Sequence, residues 1–290
     1  MIWPEQLVKS LASRRAVLFF GAGVSGNSLS ADGTRNPRTW EAFLRHANDK
    51  CKSTSVKKEI SKLIASKDYL TACDVIVTAL GREEFADLVK EEYQSPGYLP
   101  SEVHNLLWKL DLRISITPNF DNIYDTLVSQ RGNGTVAIKQ YYDDSVADSI
   151  RKMEQVLIKC HGSASSPRKL IFTRTDYAKA RNQHSNFYEL LDALIRTHTF
   201  VFIGCGLNDP DIRLLLENYC FRHPEAPSHY FVMRARTYSA IVKNVFEESL
   251  RIKIIEYKYS KDHSYLATEL LSLVTEVESA RISMGTSAVW

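Results

Sequence analysis

Cysteine is sparse and scattered: Cys51, Cys73, Cys160, Cys205 and Cys220 contain no C-x-x-C pair. That spacing excludes the usual four-cysteine zinc module and gives no sign of a disulfide framework. Reduced thiols in a cytoplasmic protein are the simpler reading. No apolar run is long enough to span a bilayer, and Met1-Ile2-Trp3-Pro4-Glu5 lacks a secretory-leader pattern, so no membrane partner is expected. A surplus of one charge is also missing. A net charge of +3 over 290 residues gives no electrostatic footprint for nucleic acid, and direct nucleic-acid binding is not expected. The lysines between Lys50 and Lys62 read as a solvated helix face, with a basic patch as the less favoured alternative. Internal repeats and low-complexity tracts are absent, which excludes a solenoid.

What remains is an ordinary globular composition, long enough for one large α/β domain. Its organising stretch is Val17-Leu18-Phe19-Phe20 running into Gly21-Ala22-Gly23-Val24-Ser25-Gly26. A short run apolar at every position predicts a parallel strand buried on both faces. The turn matches G-x-G-x-x-G, whose glycines let the backbone approach a ligand or merely turn tightly. In a dinucleotide fold a helix starts inside this motif and holds phosphate on its free N–H groups. Here the polar stretch 27–38 follows instead, a loop of suitable length to cover a ligand. Residues 40–110 read as a mostly helical insert after the first strand, within a single domain spanning 1–290.

Further strands are expected at Arg113–Thr117, Val136–Ile138, Val156–Cys160, Thr199–Ile203, His229–Met233 and Ile252–Tyr257, with Leu170-Ile171-Phe172 as an edge strand. Helices between them complete a Rossmann-like parallel sheet. Ser264 to Ala280 reads as a terminal helix, with Met284–Trp290 fraying. Unusual residues follow four strands. They are Gly21 to Ser25, Asn119 and Asp121 after Thr117-Pro118, His161 before Gly162, and Gly204 to Gly206 ahead of Asn208-Asp209-Pro210. In an open parallel sheet the ligand crevice lies outside the carboxyl ends of the strands, so these residues converge. Asn119 offers a donor and an acceptor, and His161 a base with an ordinary pKa near ~6.5. Asp121 reads equally as a helix cap, and Asp209 reads as the N-cap before Pro210 rather than as a catalytic group. His104 is expected to pack against a helix or lie on the surface.

The ordered set G-A-G-x-S at Gly21–Ser25, T-x-N-x-D at Thr117, Asn119 and Asp121, H-G at His161-Gly162 and the later Gly204–Gly206 turn resembles the sirtuin family. The resemblance implies an NAD⁺ site. It implies Asn119 and His161 in catalysis, with Gly21, Ala22, Gly23, Ser25, Thr117, Asp121, Gly204 and Gly206 binding the dinucleotide. Sirtuin deacylases carry a zinc module between the two later motifs; here Gly162 to Ile203 contains no cysteine. Their acyl-peptide segment is not recognisable either. The chain thus looks like the zinc-free sirtuin-like domains of bacterial anti-phage defence, which implies NAD⁺ hydrolysis to nicotinamide and ADP-ribose without metal. Protein deacylation and non-catalytic binding of NAD⁺ or ADP-ribose stand as alternatives. Such domains usually sit beside a sensor, either fused or as a separate subunit. The chain ends soon after the domain, so a homo-oligomer and a separate sensor subunit, such as a HerA-like ATPase or an Argonaute-type protein, are the implied partners.

Overall fold

Strands of this chain are apolar on both faces because helices cover both sides of one sheet. The computed structural model describes residues 2–207, 209–260 and 263–287. After helix α1 (Glu5–Ala12) and strand β1 (Ala16–Phe20) comes a single helical turn, α2 (Ala22–Ser25). A helical block follows: α3 (Trp40–Lys50), α4 (Thr54–Ala65), α5 (Tyr69–Leu80), α6 (Arg82–Tyr93) and α7 (Glu102–Lys109). Then come β2 (Ile114–Thr117), α8 (Ile123–Arg131), β3 (Ala137–Gln140), α9 (Val146–Arg151) and β4 (Val156–Lys159). The chain continues through α10 (Arg174–Gln183), α11 (Ser185–Thr197), β5 (Thr199–Ile203), α12 (Pro210–Arg222) and β6 (His229–Arg234). It closes with α13 (Ala240–Leu250), β7 (Ile252–Tyr257) and α14 (Ser264–Ser287).

Among the described residues, seven strands form one parallel sheet in the order β3-β4-β2-β1-β5-β6-β7. The fold is a Rossmann-like α/β sheet. Strand alternation splits β1 between two cores. Leu18 and Phe20 pack with α1, α7, α8 and α14, whereas Val17 and Phe19 pack with α10, α11 and α12. A third core joins Phe43, Ile60, Ile76 and Phe85 of α3–α6 to Phe120 and Phe172. Each fully buried Leu or Phe contributes roughly 1.5–3 kcal/mol, so the helical block is anchored on the main body by its own core. No helix among the described residues is long and apolar enough to cross a membrane.

Three local readings change. The glycine motif does carry a helix, but only the one turn of α2, before the polar loop begins. Leu170–Phe172 is not an edge strand. Leu170 and Phe172 enter the third core while Ile171 enters the sheet core, and β3 and β7 already occupy the sheet edges. The segment is extended and buried, held by the Ile171 N–H donating to the His161 carbonyl at 3.0 Å. Met284 to Ser287 belong to α14 rather than to a frayed end; 288–290 lie outside the described residues.

Candidate active site

Two glycine turns are fastened to each other at the centre of the sheet. Gly21 N–H donates to the Ile203 carbonyl at 3.0 Å, and Gly23 N–H to the Gly204 carbonyl at 2.9 Å. A Cβ on Gly23 would meet Gly204 Cα at 2.9 Å, and one on Gly204 would meet the Val24 nitrogen at 2.7 Å. Gly204 also has φ +65°, a conformation that disfavours any side chain. Glycine is required here so that two backbones can touch.

Beside these turns, at the carboxyl ends of the strands, lies a cavity of about 320 Å³. Gly21, Ala22, Ser25, Asn119, Asp121, His161, Gly204 and Gly206 line it. Gly23 and Thr117 are not among its lining residues. Thr117 donates to the Phe20 carbonyl at 2.8 Å and accepts from the Asn119 N–H at 3.2 Å, so it ties β2 to β1 behind Asn119. Asn208 lies outside the described residues. The opposite wall comes from the polar loop and the helical block: Pro37, Arg38, Trp40, Tyr69, Leu70 and Tyr93. The loop is bolted down by Arg38, which pairs with the buried Glu92 of α6, and by the Leu99 N–H donating to Leu29 O. Sequence patterns had assigned no role to Trp40, Tyr69 or Tyr93, because nothing in a helical pattern reveals which side chains roof a distant strand end.

A chain of hydrogen bonds fixes the Asn119 amide. The Asp121 carboxylate accepts the Ser25 hydroxyl proton at 2.7 Å. Ser25 Oγ is therefore left to accept, and it does so from Asn119 Nδ2 at 2.9 Å. This ordering leaves Asn119 Oδ1 as the acceptor for a hydroxyl or water. Asp121 also accepts the Ile123 N–H at 3.1 Å at the start of α8, the contact expected of a helix cap. Beneath it lies Lys159, fully buried at the end of β4. Its ammonium donates to the Asp121 carbonyl, to Asn122 Oδ1 at 3.2 Å and to both Asp125 oxygens at 3.1 Å. This locks the Asn119–Asp121 loop to the strand that carries His161. Burial raises the Asp125 carboxyl, with the Lys159 charge opposing.

His161 is 3% exposed and sits between two carboxylates. Its Nε2 is 3.2 Å from Asp211 Oδ2, and its Nδ1 is 3.8 Å from Asp209 Oδ2. Burial pushes the imidazole toward neutrality, but the Asp209 charge and the Asp211 hydrogen bond outweigh it, and its pKa lies above the ordinary value. Burial would raise Asp211 too; the His161 and Arg181 contacts prevail and hold its carboxyl low. Asp209 goes up, first through burial. Asp209 does cap α12, accepting from the Asp211 and Ile212 N–H groups at 3.0 and 3.1 Å, but through Oδ1 alone. Sequence reading missed Asp211 because its spacing looks like helix-start chemistry. His104 is the packed histidine: fully buried, its Nδ1 meets the Ser101 N–H at 3.2 Å. Among the described residues, no group of three or more His, Cys, Asp or Glu is placed to hold a metal ion.

Residues 113–255 match a family model described as "SIR2-like domain". The chain is 24% identical over 257 residues to NAD(+) hydrolase ThsA of Cytobacillus dafuensis, covering 87% of this chain and 48% of that protein. It is 27% identical over 215 residues to Defense-associated sirtuin 2 of Bacillus subtilis, covering 73% and 20%. Against NAD(+) hydrolase ThsA of Acinetobacter baumannii (strain 532279), identity is 23% over 231 residues, covering 79% and 44%. The chain thus spans about half or less of the length of these curated relatives. The matched span runs from β2 to β7 and includes Asn119, His161 and the Gly204 turn, while the Gly21 turn lies in the same sheet beside it. Over residues 113–255 the chain is therefore similar to SIR2-like, sirtuin-type domains.

Proposed function

We propose that this protein binds NAD⁺ in the cavity at the carboxyl edge of its sheet and hydrolyses it to nicotinamide and ADP-ribose. The observation that carries the reading is the meeting of Asn119 and His161 on one wall of an aromatic-roofed cavity beside two glycine turns. Relatives named NAD(+) hydrolase support the reaction class. Breaking the nicotinamide–ribose bond develops positive charge on the sugar, as in glycoside hydrolysis. The nicotinamide leaves neutral, so no strong acid is needed. The protein has to hold the ribose and bring water to its anomeric carbon. Asn119 Oδ1 accepts from the water or a ribose hydroxyl and orients it. His161 takes the proton, from water directly or through a ribose hydroxyl. Gly21, Ala22, Ser25, Asp121, Gly204 and Gly206 contact the dinucleotide, while Gly23 and Thr117 hold the wall that does so.

The biological role that fits is NAD⁺ depletion in anti-phage defence, supported by the relative named a defense-associated sirtuin. An unrestrained NAD⁺ hydrolase would harm its own cell. Self-association, or a separate sensor subunit such as a HerA-like ATPase or an Argonaute-type protein, is the proposed restraint, acting in the cytoplasm. Full activity in a dilute, demonstrably monomeric sample would argue against it. The reaction is tested by incubating the protein with NAD⁺ alone and with an acyl-lysine peptide. Nicotinamide and ADP-ribose released without peptide support hydrolysis. Turnover only with peptide would instead mean deacylation, and saturable binding without turnover would mean a sensor.

A further inference from the structure

We propose that the Asp209-Pro210-Asp211 turn is a two-carboxylate clamp that positions His161 and sets its tautomer for proton abstraction. The inference rests on the hydrolase reading. Each carboxylate divides its oxygens between holding and acting. Asp209 Oδ1 accepts from two backbone N–H groups of α12, and its Oδ2 faces His161 Nδ1. Asp211 Oδ1 is gripped by Arg181 through Nε at 3.0 Å and Nη2 at 2.6 Å. Its Oδ2 accepts from Tyr188 Oη at 3.1 Å and meets His161 Nε2 at 3.2 Å. Capping α12 accounts for one of these four oxygens. The other three are arranged around the imidazole or fix the group that is.

The tautomer follows from donor and acceptor counts. An ionised Asp211 only accepts, so Nε2 must carry the hydrogen, and Nδ1 then presents its lone pair. At 3.8 Å Asp209 is too far for a direct hydrogen bond to Nδ1 but close enough to stabilise a positive charge there. In the chemical step the O–H bond of water or a ribose hydroxyl breaks, an N–H bond forms at Nδ1, and the oxygen keeps the electron pair. The imidazolium so formed lies between two carboxylates. The other groups facing the ring are the Arg181 cation, which opposes the charge, and the Tyr177 ring packed edge-on at 5.2 Å. Arg181, Tyr188 and the two aspartates are positioning residues; His161 is the group placed at the reacting atoms.

The test reads His161 directly by NMR titration, alongside kcat and KM for NAD⁺. In Asp211→Asn the amide nitrogen faces Nε2, removes the acceptor and favours the wrong tautomer. Expected are a fall in kcat of about 10²–10⁴-fold with KM nearly unchanged, and His161 titrating at lower pH than in the wild type. Asp211→Glu, which keeps the carboxylate, should recover part of both. A folded Asp211→Asn protein with wild-type kcat and an unmoved His161 titration overturns the clamp. Should Asp211→Asn not fold, Asp209→Asn keeps the capping oxygen. A lowered His161 titration in it supports the clamp, and an unchanged one overturns it. If wild-type protein fails to cleave NAD⁺, the hydrolase reading falls, while the titration still decides the clamp.

Discussion

His161 and His229 lie at opposite ends of the same parallel sheet, and both are 3% exposed. His229 opens β6 at the amino end. Its Nδ1 accepts the Phe200 N–H at 3.1 Å, and its ring packs 4.5 Å from Tyr219. Burial drives its pKa down to about 3. His161 follows β4 at the carboxyl end, where the same burial is overcome by two carboxylates and the pKa rises. Burial alone makes a neutral packing group; burial between fixed carboxylates makes one that holds its proton more tightly. The same contrast runs through the surroundings. The carboxyl end gathers the buried residues Ser25, Asn119, Asp121 and Lys159, far apart in the chain, into one hydrogen-bonded group.

The sharpest way to break this comparison is to remove each residue of the proposed pair. His161→Ala should lower kcat by about 10²–10⁴-fold while NAD⁺ still binds. Asn119→Ala should remove most activity as well, and the double mutant should lose less than the product of the two, because they act as a unit. His229→Phe should leave kcat unchanged. Steady-state kinetics on the folded variants decide all of these.

Next in size is Lys159→Met. It strands the Asp125 carboxylate and the Asp121 carbonyl in the interior and should cost about 3–5 kcal/mol in urea unfolding. Gly204→Ala is smaller, about 1–3 kcal/mol for the left-handed backbone, with a further penalty from the clash with Val24. Wild-type unfolding midpoints for either variant would contradict the packing described.

The pH dependence is the gentlest probe. His104, pushed by burial down to about 4, and His229 stay neutral when folded but take a proton near ~6.5 when unfolded. Their contribution is full above ~6.5 and is lost as pH falls through that value toward about 4 and about 3 respectively. His161 has the opposite sign: its contribution is full below ~6.5 and is lost as pH rises through its raised value. Thermal melts across pH should therefore show His229→Phe flattening the acid limb and His161→Gln flattening the alkaline one. If His161 is the proposed base, kcat should rise with pH over the latter window, since only the neutral imidazole accepts a proton.

Much of this fold is legible because buried parallel strands are apolar at successive positions. Val17–Phe20 and Phe200–Ile203 announce themselves, and the breaks after them mark the strand ends. Asn119 and His161 stand out for the same reason: each is a polar residue at the tip of an apolar run. Legibility fails where one pattern serves two structures. Leu170–Phe172 has strand composition but feeds two different cores. Asp209 and Asp211 have cap spacing, and only the fold brings their spare oxygens to His161. Trp40, Tyr69 and Tyr93 are indistinguishable in sequence from helix-packing aromatics, although they roof the cavity. Gly23 and Thr117 belong to the motifs yet brace the wall from behind, a distinction of a few ångströms that spacing does not encode.

The most direct test pairs NAD⁺ binding, by calorimetry, with simultaneous quantification of nicotinamide and ADP-ribose for wild-type and His161→Ala protein in the absence of any acyl peptide. The account predicts that both proteins bind NAD⁺, that the wild type releases the two products in equal amounts, and that His161→Ala releases them at least about 10²-fold more slowly. Binding by the wild type without release, or release by His161→Ala at the wild-type rate, would contradict it.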